Sequence, residues 1–140
     1  MKHDLTKVLA VLERAQLMTI ATVADTGHPQ SAVVSFASTP AAEIIFGTNK
    51  TSRKHANLQR DPHAALVIGW DDFVTVQYEG KAVPLEGQEL ADCQKIFADK
   101  LPWGQRMVED ANIAFFKVTP EWLRYTDINQ RPWEVREVKP

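Results

Sequence analysis

The residues best equipped for chemistry stand together between positions 46 and 62. There an apolar segment gives way to Gly47-Thr48-Asn49-Lys50-Thr51-Ser52-Arg53-Lys54, and a helix-forming stretch closes at Asp61-Pro62. The hydroxyls of Thr48, Thr51 and Ser52, the planar donor fork of Arg53 and the compact charge of Lys54 outline an anion receptor. A helix starting at Ser52 would direct its unpaired N–H groups and their partial positive charge at the same place. Gly47 would let a ligand come close to the backbone. The chemistry this suits is phosphate binding. Without a ligand the same residues are a serine cap followed by two solvated cations, and the stretch alone does not separate the two readings. It is not a nucleotide P-loop, because the second glycine ahead of the lysine is missing.

Elsewhere the chemistry-bearing residues are dispersed. His3, His28, His55 and His63 lack the paired spacing of a metal site, so no metal ligand is assigned. His55 directly follows the anion turn and is placed to approach a phosphate. Cys93 falls on the apolar face of a helical pattern, which suits a buried thiol better than a nucleophile. Asp71-Asp72 reads as turn chemistry. No serine–histidine–acid arrangement can be argued, and no catalytic residue is named.

The elements that must position the turn follow from periodicity. Leu5, Val8, Leu9 and Leu12 predict an amphipathic helix over 4–15. Strands are expected at 17–23 and 29–38, joined by Asp25-Thr26-Gly27, with a third at 42–48. A short helix over 52–60 and a wholly apolar strand at 64–69 come next. The strand at 73–83 alternates, and Gly80 inside it marks a bulge or bend. Leu90, Cys93, Phe97 and Leu101 predict a helix over 86–100, stopped by Pro102-Trp103-Gly104. Strands at 113–118 and 122–126 are separated by Thr119-Pro120-Glu121, and 129–140 is an edge strand or an arm. The fold class is mainly β: six or seven antiparallel strands in a small barrel with flanking helices.

Bulk properties agree with one domain over 1–140. The chain is 44% hydrophobic and 24% charged, as in ordinary globular proteins. A net charge of −2 gives no general attraction to nucleic acid or anionic membrane. No apolar run is long enough for a membrane span, the N-terminus lacks a signal-peptide block, and the single cysteine cannot form an internal disulfide. The expected compartment is the cytoplasm.

The order Thr48-Asn49, Ser52-Arg53-Lys54, a helical turn, Asp61-Pro62 and a strand closed by Trp70 resembles the pyridoxamine 5'-phosphate oxidase-like family of FMN-binding split β-barrels. The resemblance spans roughly residues 15–126. It implies that Thr48, Ser52, Arg53 and Lys54 hold the FMN phosphate, and that the flavin ring lies along Ala32, Val33, Val34 and Ser35. Thr75 falls where the family places a polar side chain near the ring. A deazaflavin-using branch also exists. These barrels pair, which implies a homodimer with the flavin at the subunit interface. The outward faces of 73–83 and 17–23, read as rich in apolar residues, point the same way, and Trp103 and Trp133 are the tryptophans expected to meet a partner.

Departures narrow the function. True pyridoxamine phosphate oxidases carry arginine and lysine where this chain has Ala32 and Ala37, and their C-terminal tryptophan–arginine clamp has no counterpart after Thr126. The general-stress-protein-like branch is the better match. Expected is an FMN-dependent oxidoreductase acting on an unidentified small molecule. The alternative is a non-catalytic flavin-binding sensor or carrier linked to stress response. A haem- or tetrapyrrole-binding relative would need an axial histidine, which cannot be located.

Overall fold

The computed structural model describes residues 5–140; the predicted helix start at Asp4, and His3, lie outside the described residues. Seven strands form one antiparallel sheet in the order β3-β2-β1-β4-β5-β6-β7, and pairing of β3 with β6 closes six of them into a barrel. The strands are β1 (Leu17–Val23), β2 (Pro29–Ser38), β3 (Ile44–Asn49), β4 (His63–Ile68), β5 (Val74–Pro84), β6 (Ile113–Asp127) and β7 (Glu134–Val138). The β1–β2 hairpin turns where expected, with Gly27 at φ 84° supplying the left-handed residue such a turn requires.

Period-two alternation sorts side chains between the barrel interior and its outer wall. Met18 and Ile20, Phe36, Phe46, Leu66 and Ile68, Val76 and Tyr78, and Phe116 and Val118 all point inward and are buried. Phe46 and Phe116 stack inside with centroids 5.4 Å apart. The Tyr78 hydroxyl donates within reach of the carbonyls of Ala42 and Val118, at 2.8 and 2.9 Å, so this deeply buried phenol is satisfied. Helix α1 (Thr6–Arg14) adds Val8, Val11 and Leu12 to this core. Gly69, at φ 73°, admits α1 closely: a Cβ there would stand 2.6 Å from Val11 Cγ1.

A second cluster lies outside the barrel. Ala37, Ile45 and Phe115 point outward and are covered by Cys93, Phe97 and Leu101 of the α3 side. Helix α3 (Gly87–Lys100) matches the periodicity, and its Cys93 is a buried thiol, pushed above its usual pKa first by burial. Phe97 is fully buried and meets Phe115 edge-to-face at 5.1 Å. Burying such a ring contributes about 1.5–3 kcal/mol.

The structure corrects the sequence reading in three places. The two strands expected around Thr119-Pro120-Glu121 are one strand, β6: the register against β5 slips between Glu79 and Gly80, so the missing Pro120 N–H falls at a bulge. Gly80 permits this, since a Cβ there would sit 2.2 Å from the Thr119 carbonyl oxygen. Pro102-Trp103-Gly104 does end α3 at Lys100, but Gly104 also opens a second short helix that the sequence reading lacked, α4 (Gly104–Glu109). The outward face of β5 is mostly polar: Val74, Val76 and Tyr78 point inward, leaving Thr75, Gln77, Glu79 and Lys81 outside with Val83 as the one aliphatic in that row. The tail forms an edge strand, β7, paired to the end of β6. Among the described residues no helix is long and apolar enough to cross a membrane.

Candidate functional site

Helix α2 (Arg53–Arg60) starts where the anion turn was read. Ser52 is its cap: the hydroxyl accepts from the His55 N–H at 3.2 Å. Thr48, buried at the end of β3, holds that hydroxyl from the other side at 2.9 Å. Asn49 closes the turn below, its side-chain amide oxygen accepting from both the N–H and the hydroxyl of Thr51. By helix geometry the N–H groups of Arg53 and Lys54 lack intrahelical partners. Among the described residues neither side chain has an ion-pair partner, and no acidic residue occupies the first turn. Burial pushes the Lys54 ammonium below its ordinary pKa.

These two cations and Ser52 face β2 across a hollow of about 230 Å³, completed by Gln30, Ser31, Ala32, Ile20 and Thr22. The lining carries two positive charges, three hydroxyls and an amide, and no carboxylate. Its electrostatics favour an anion, and charge-assisted bonds to one would be about twice as strong as neutral ones.

What holds α2 against the barrel was not legible in the sequence. Asn57 is buried, and its amide donates to the Thr22 hydroxyl at 3.0 Å and to the Gln30 side-chain oxygen at 2.9 Å. Arg60 donates to the Asn57 side chain at 3.3 Å and to the Val23 carbonyl at 3.0 Å. The network therefore joins α2 to the β1–β2 strands that form the hollow's far side. The available signal was an amide beside Leu58 on the helix's buried face.

Other expected site residues are distributed differently. Val33 is 59% exposed on the outer wall, Val34 leans inward on the core, and the Ser35 hydroxyl points to the Met107 sulfur at 3.8 Å, under α4. Gly47 and Thr48 do not line the hollow. A Cβ on Gly47 would stand 2.8 Å from Ile113 Cγ2 and 3.1 Å from Phe115, so this glycine serves close packing under α4. Thr75 lies on the outer wall of β5, separated from β2 by β1 and β4, roughly 14 Å at the usual strand spacing. One chain therefore does not bring Thr75 to the anion turn. His55 turns its ring to Phe116, centroids 5.9 Å apart, on a lining separate from the anion hollow.

The family model described as Pyridoxamine 5'-phosphate oxidase matches residues 5–127. A pyridoxine/pyridoxamine 5'-phosphate oxidase from Cyanothece sp. (strain PCC 7425 / ATCC 29141) is 34% identical over 91 residues, covering 64% of this chain and 41% of that protein. The chain thus aligns with about two fifths of the length of that curated relative. Among solved structures, a heme binding protein from Mycobacterium smegmatis superposes with a TM-score of 0.81 at 16% identity, over 99% of this chain and 59% of that one. A pyridoxamine 5'-phosphate oxidase-related, FMN binding protein from Nostoc punctiforme PCC 73102 superposes at 0.74 with 13% identity, over 100% of both chains. At such identities the structural likenesses establish the fold.

Proposed function

The chain belongs to the pyridoxamine 5'-phosphate oxidase family, and from that premise we propose that it is an FMN-binding flavoprotein, an oxidoreductase acting on a small molecule. The observation that carries the reading is the pair of unneutralised cations, Arg53 and Lys54, facing a hollow of about 230 Å³ at the start of α2. The donor set fits a phosphate monoester: Arg53 supplies a fork, Lys54 a point charge, and the first-turn N–H groups point the same way. Thr48 acts through Ser52, holding its hydroxyl, and Asn57 acts through the helix position. The description of the Nostoc neighbour as FMN binding supports the same cofactor. A deazaflavin is the less favoured occupant.

The ring would extend along β2, where Val33 and Ser35 present the outer wall and Val34 backs them from the core. When bound, a flavin supplies hydride or electron transfer, and the protein contributes position and electrostatics. A second copy of the chain would complete the site, because Thr75 is distant from β2 within one chain. The wall it would cover carries Leu17, Val33 and Val67, and a shallow hollow of about 320 Å³ lined by Ala21, Val23, Pro29 and Ala65 among others. A twofold pairing of such a surface is the commonest closed solution. The proposed compartment is the cytoplasm.

One observation favours the second reading, a flavin-binding sensor or carrier without turnover. The anion hollow is lined by no histidine, aspartate, glutamate, tyrosine or cysteine that could serve as an acid or base. Reduction of bound flavin by NADH or NADPH, followed by reoxidation with screened acceptors, separates the two. The cofactor itself is tested by fluorescence titration of Arg53→Ala. Losing a charged phosphate contact of about 1.5–3 kcal/mol predicts roughly ten- to a hundredfold weaker FMN binding, with riboflavin affinity little changed. Equal FMN affinity in the variant would refute the assignment.

A further inference from the structure

A second hollow of about 230 Å³ lies between α2, α3 and the start of β6, and it shares no lining residue with the anion hollow. Its apolar side is built from Pro84, Leu85 and Leu90 with Phe115 and Phe116 of β6 behind them. Its polar rim is Lys50 and His55 from the anion turn and the first turn of α2, Gln59 one turn on, and Gln94 of α3. Among the described residues the Lys50 ammonium, the His55 ring nitrogens and the amides of Gln59 and Gln94 have no hydrogen-bond or ion-pair partner. No carboxylate lines the space, so its only certain charge is positive.

From this convergence we propose that the α2–α3 hollow is a binding site for a small planar aromatic carboxylate. The carboxylate pairs with Lys50 and accepts from the amides of Gln59 and Gln94, groups otherwise left to solvent. The ring lies against Leu85, Leu90 and the Phe115–Phe116 side, with the His55 imidazole as one wall. Size limits the occupant: pockets for drug-sized ligands begin at about 300 Å³, so this one suits a single ring with one short anionic substituent. The site is independent of the proposed flavin, because Arg53 and Lys54 line the other hollow.

The test uses benzoate as probe and benzamide as its neutral control, titrated into full-length protein carrying whatever flavin it retains. Backbone and side-chain amide signals are followed by ¹H–¹⁵N NMR. Saturable benzoate shifts at Gln59 and Gln94 are expected, with benzamide binding more weakly. Lys50→Gln, an exposed change, should weaken benzoate about fivefold. Leu90→Trp should fill the hollow and remove the shifts while leaving FMN titration unchanged. Benzamide binding as tightly as benzoate, shifts confined to Ser31, Arg53 and Lys54, insensitivity to Lys50→Gln, or no saturable shift would each overturn the proposal.

Discussion

The barrel has two outer walls built from one sheet, and they are treated differently. Where β3 meets β6, Ile45 and Phe115 point outward and the chain covers them with its own α3 and α4. Across β2, β1, β4 and β5 the outward rows run Val33–Thr19–Val67–Gln77 and Ser31–Ala21–Ala65–Glu79, and no element among the described residues covers them. The covered wall carries large apolar groups at near-zero exposure. The bare wall alternates small, polar and aliphatic groups, with Val33 and Leu17 standing 59% and 44% exposed. The first is a core that stabilises the fold. The second is a surface compatible with water, on which a second copy is proposed to sit, and it includes the strand along which the flavin is proposed to lie.

Substitutions should therefore separate stability from assembly. Phe97→Ala empties the centre of the covered wall and should cost about 3–5 kcal/mol, read as a lower denaturant midpoint with unchanged slope. Gly47→Ala, also on that wall, forces a methyl against Ile113 and Phe115 and should cost about 1–3 kcal/mol by overpacking. A fall in FMN affinity without loss of stability would instead mean that Gly47 serves the ligand directly. Val33→Asp on the bare wall should change monomer stability by no more than about 0.5 kcal/mol. Light scattering should nevertheless show the assembly shifted toward monomer, with weaker FMN binding alongside; an unchanged assembly would remove the contrast between the walls.

A pH dependence is also expected, seated on the covered side. Lys100, at the end of α3, donates to the carbonyls of Leu12 and Ala15 at 2.9 and 2.6 Å and lies 4.0 Å over the Phe36 ring. Burial, partly opposed by Glu13, lowers its pKa from 10.5 to about 8. Between those values the unfolded chain binds the proton that the folded chain has released, so stability rises with pH. Lys54, also lowered, acts in the same direction. Cys93 and Tyr78, raised by burial above their usual 9.0 and 10.0, oppose the trend at higher pH, leaving about 8 to 9 as the clear window. Denaturant midpoints across that window should climb in the native chain and climb less in Lys100→Met.

Local signals reported most of the barrel. Alternation in β1, β2 and β5, the Asp25-Thr26-Gly27 turn and the Gly80 irregularity each carry their cause in neighbouring residues. What stayed hidden depends on distant partners. Pro120 reads as a breaker until Gly80 is seen opposite it, and α4 is too short to show a period. The outward face of β5 was misassigned because the inward row, Val74, Val76 and Tyr78, dominates its composition. At the candidate site, the helix start at Ser52 and the grouping of Ser52, Arg53 and Lys54 around one hollow were legible because residue type and helix start coincide. Asn57 was not, since its partners Thr22 and Gln30 come from another hairpin.

The β3–β6 seam has a consequence for how the chain reaches this state. Phe46 pairs with Phe116, and Ile45 with Lys117, so the seam joins segments about 70 residues apart, with α2, β4, β5, α3 and α4 between them. Such distant pairings are paid in loop-closure entropy before they return contact energy, which places this topology among slower folders than helical bundles of equal size. During synthesis β3 emerges long before β6. Until β6 arrives, one edge of Ile44-Ile45-Phe46 has unsatisfied backbone groups and an apolar surface on both faces, the kind of edge that recruits other chains. The vulnerable interval of this protein's life is the time between translating Asn49 and translating Val118.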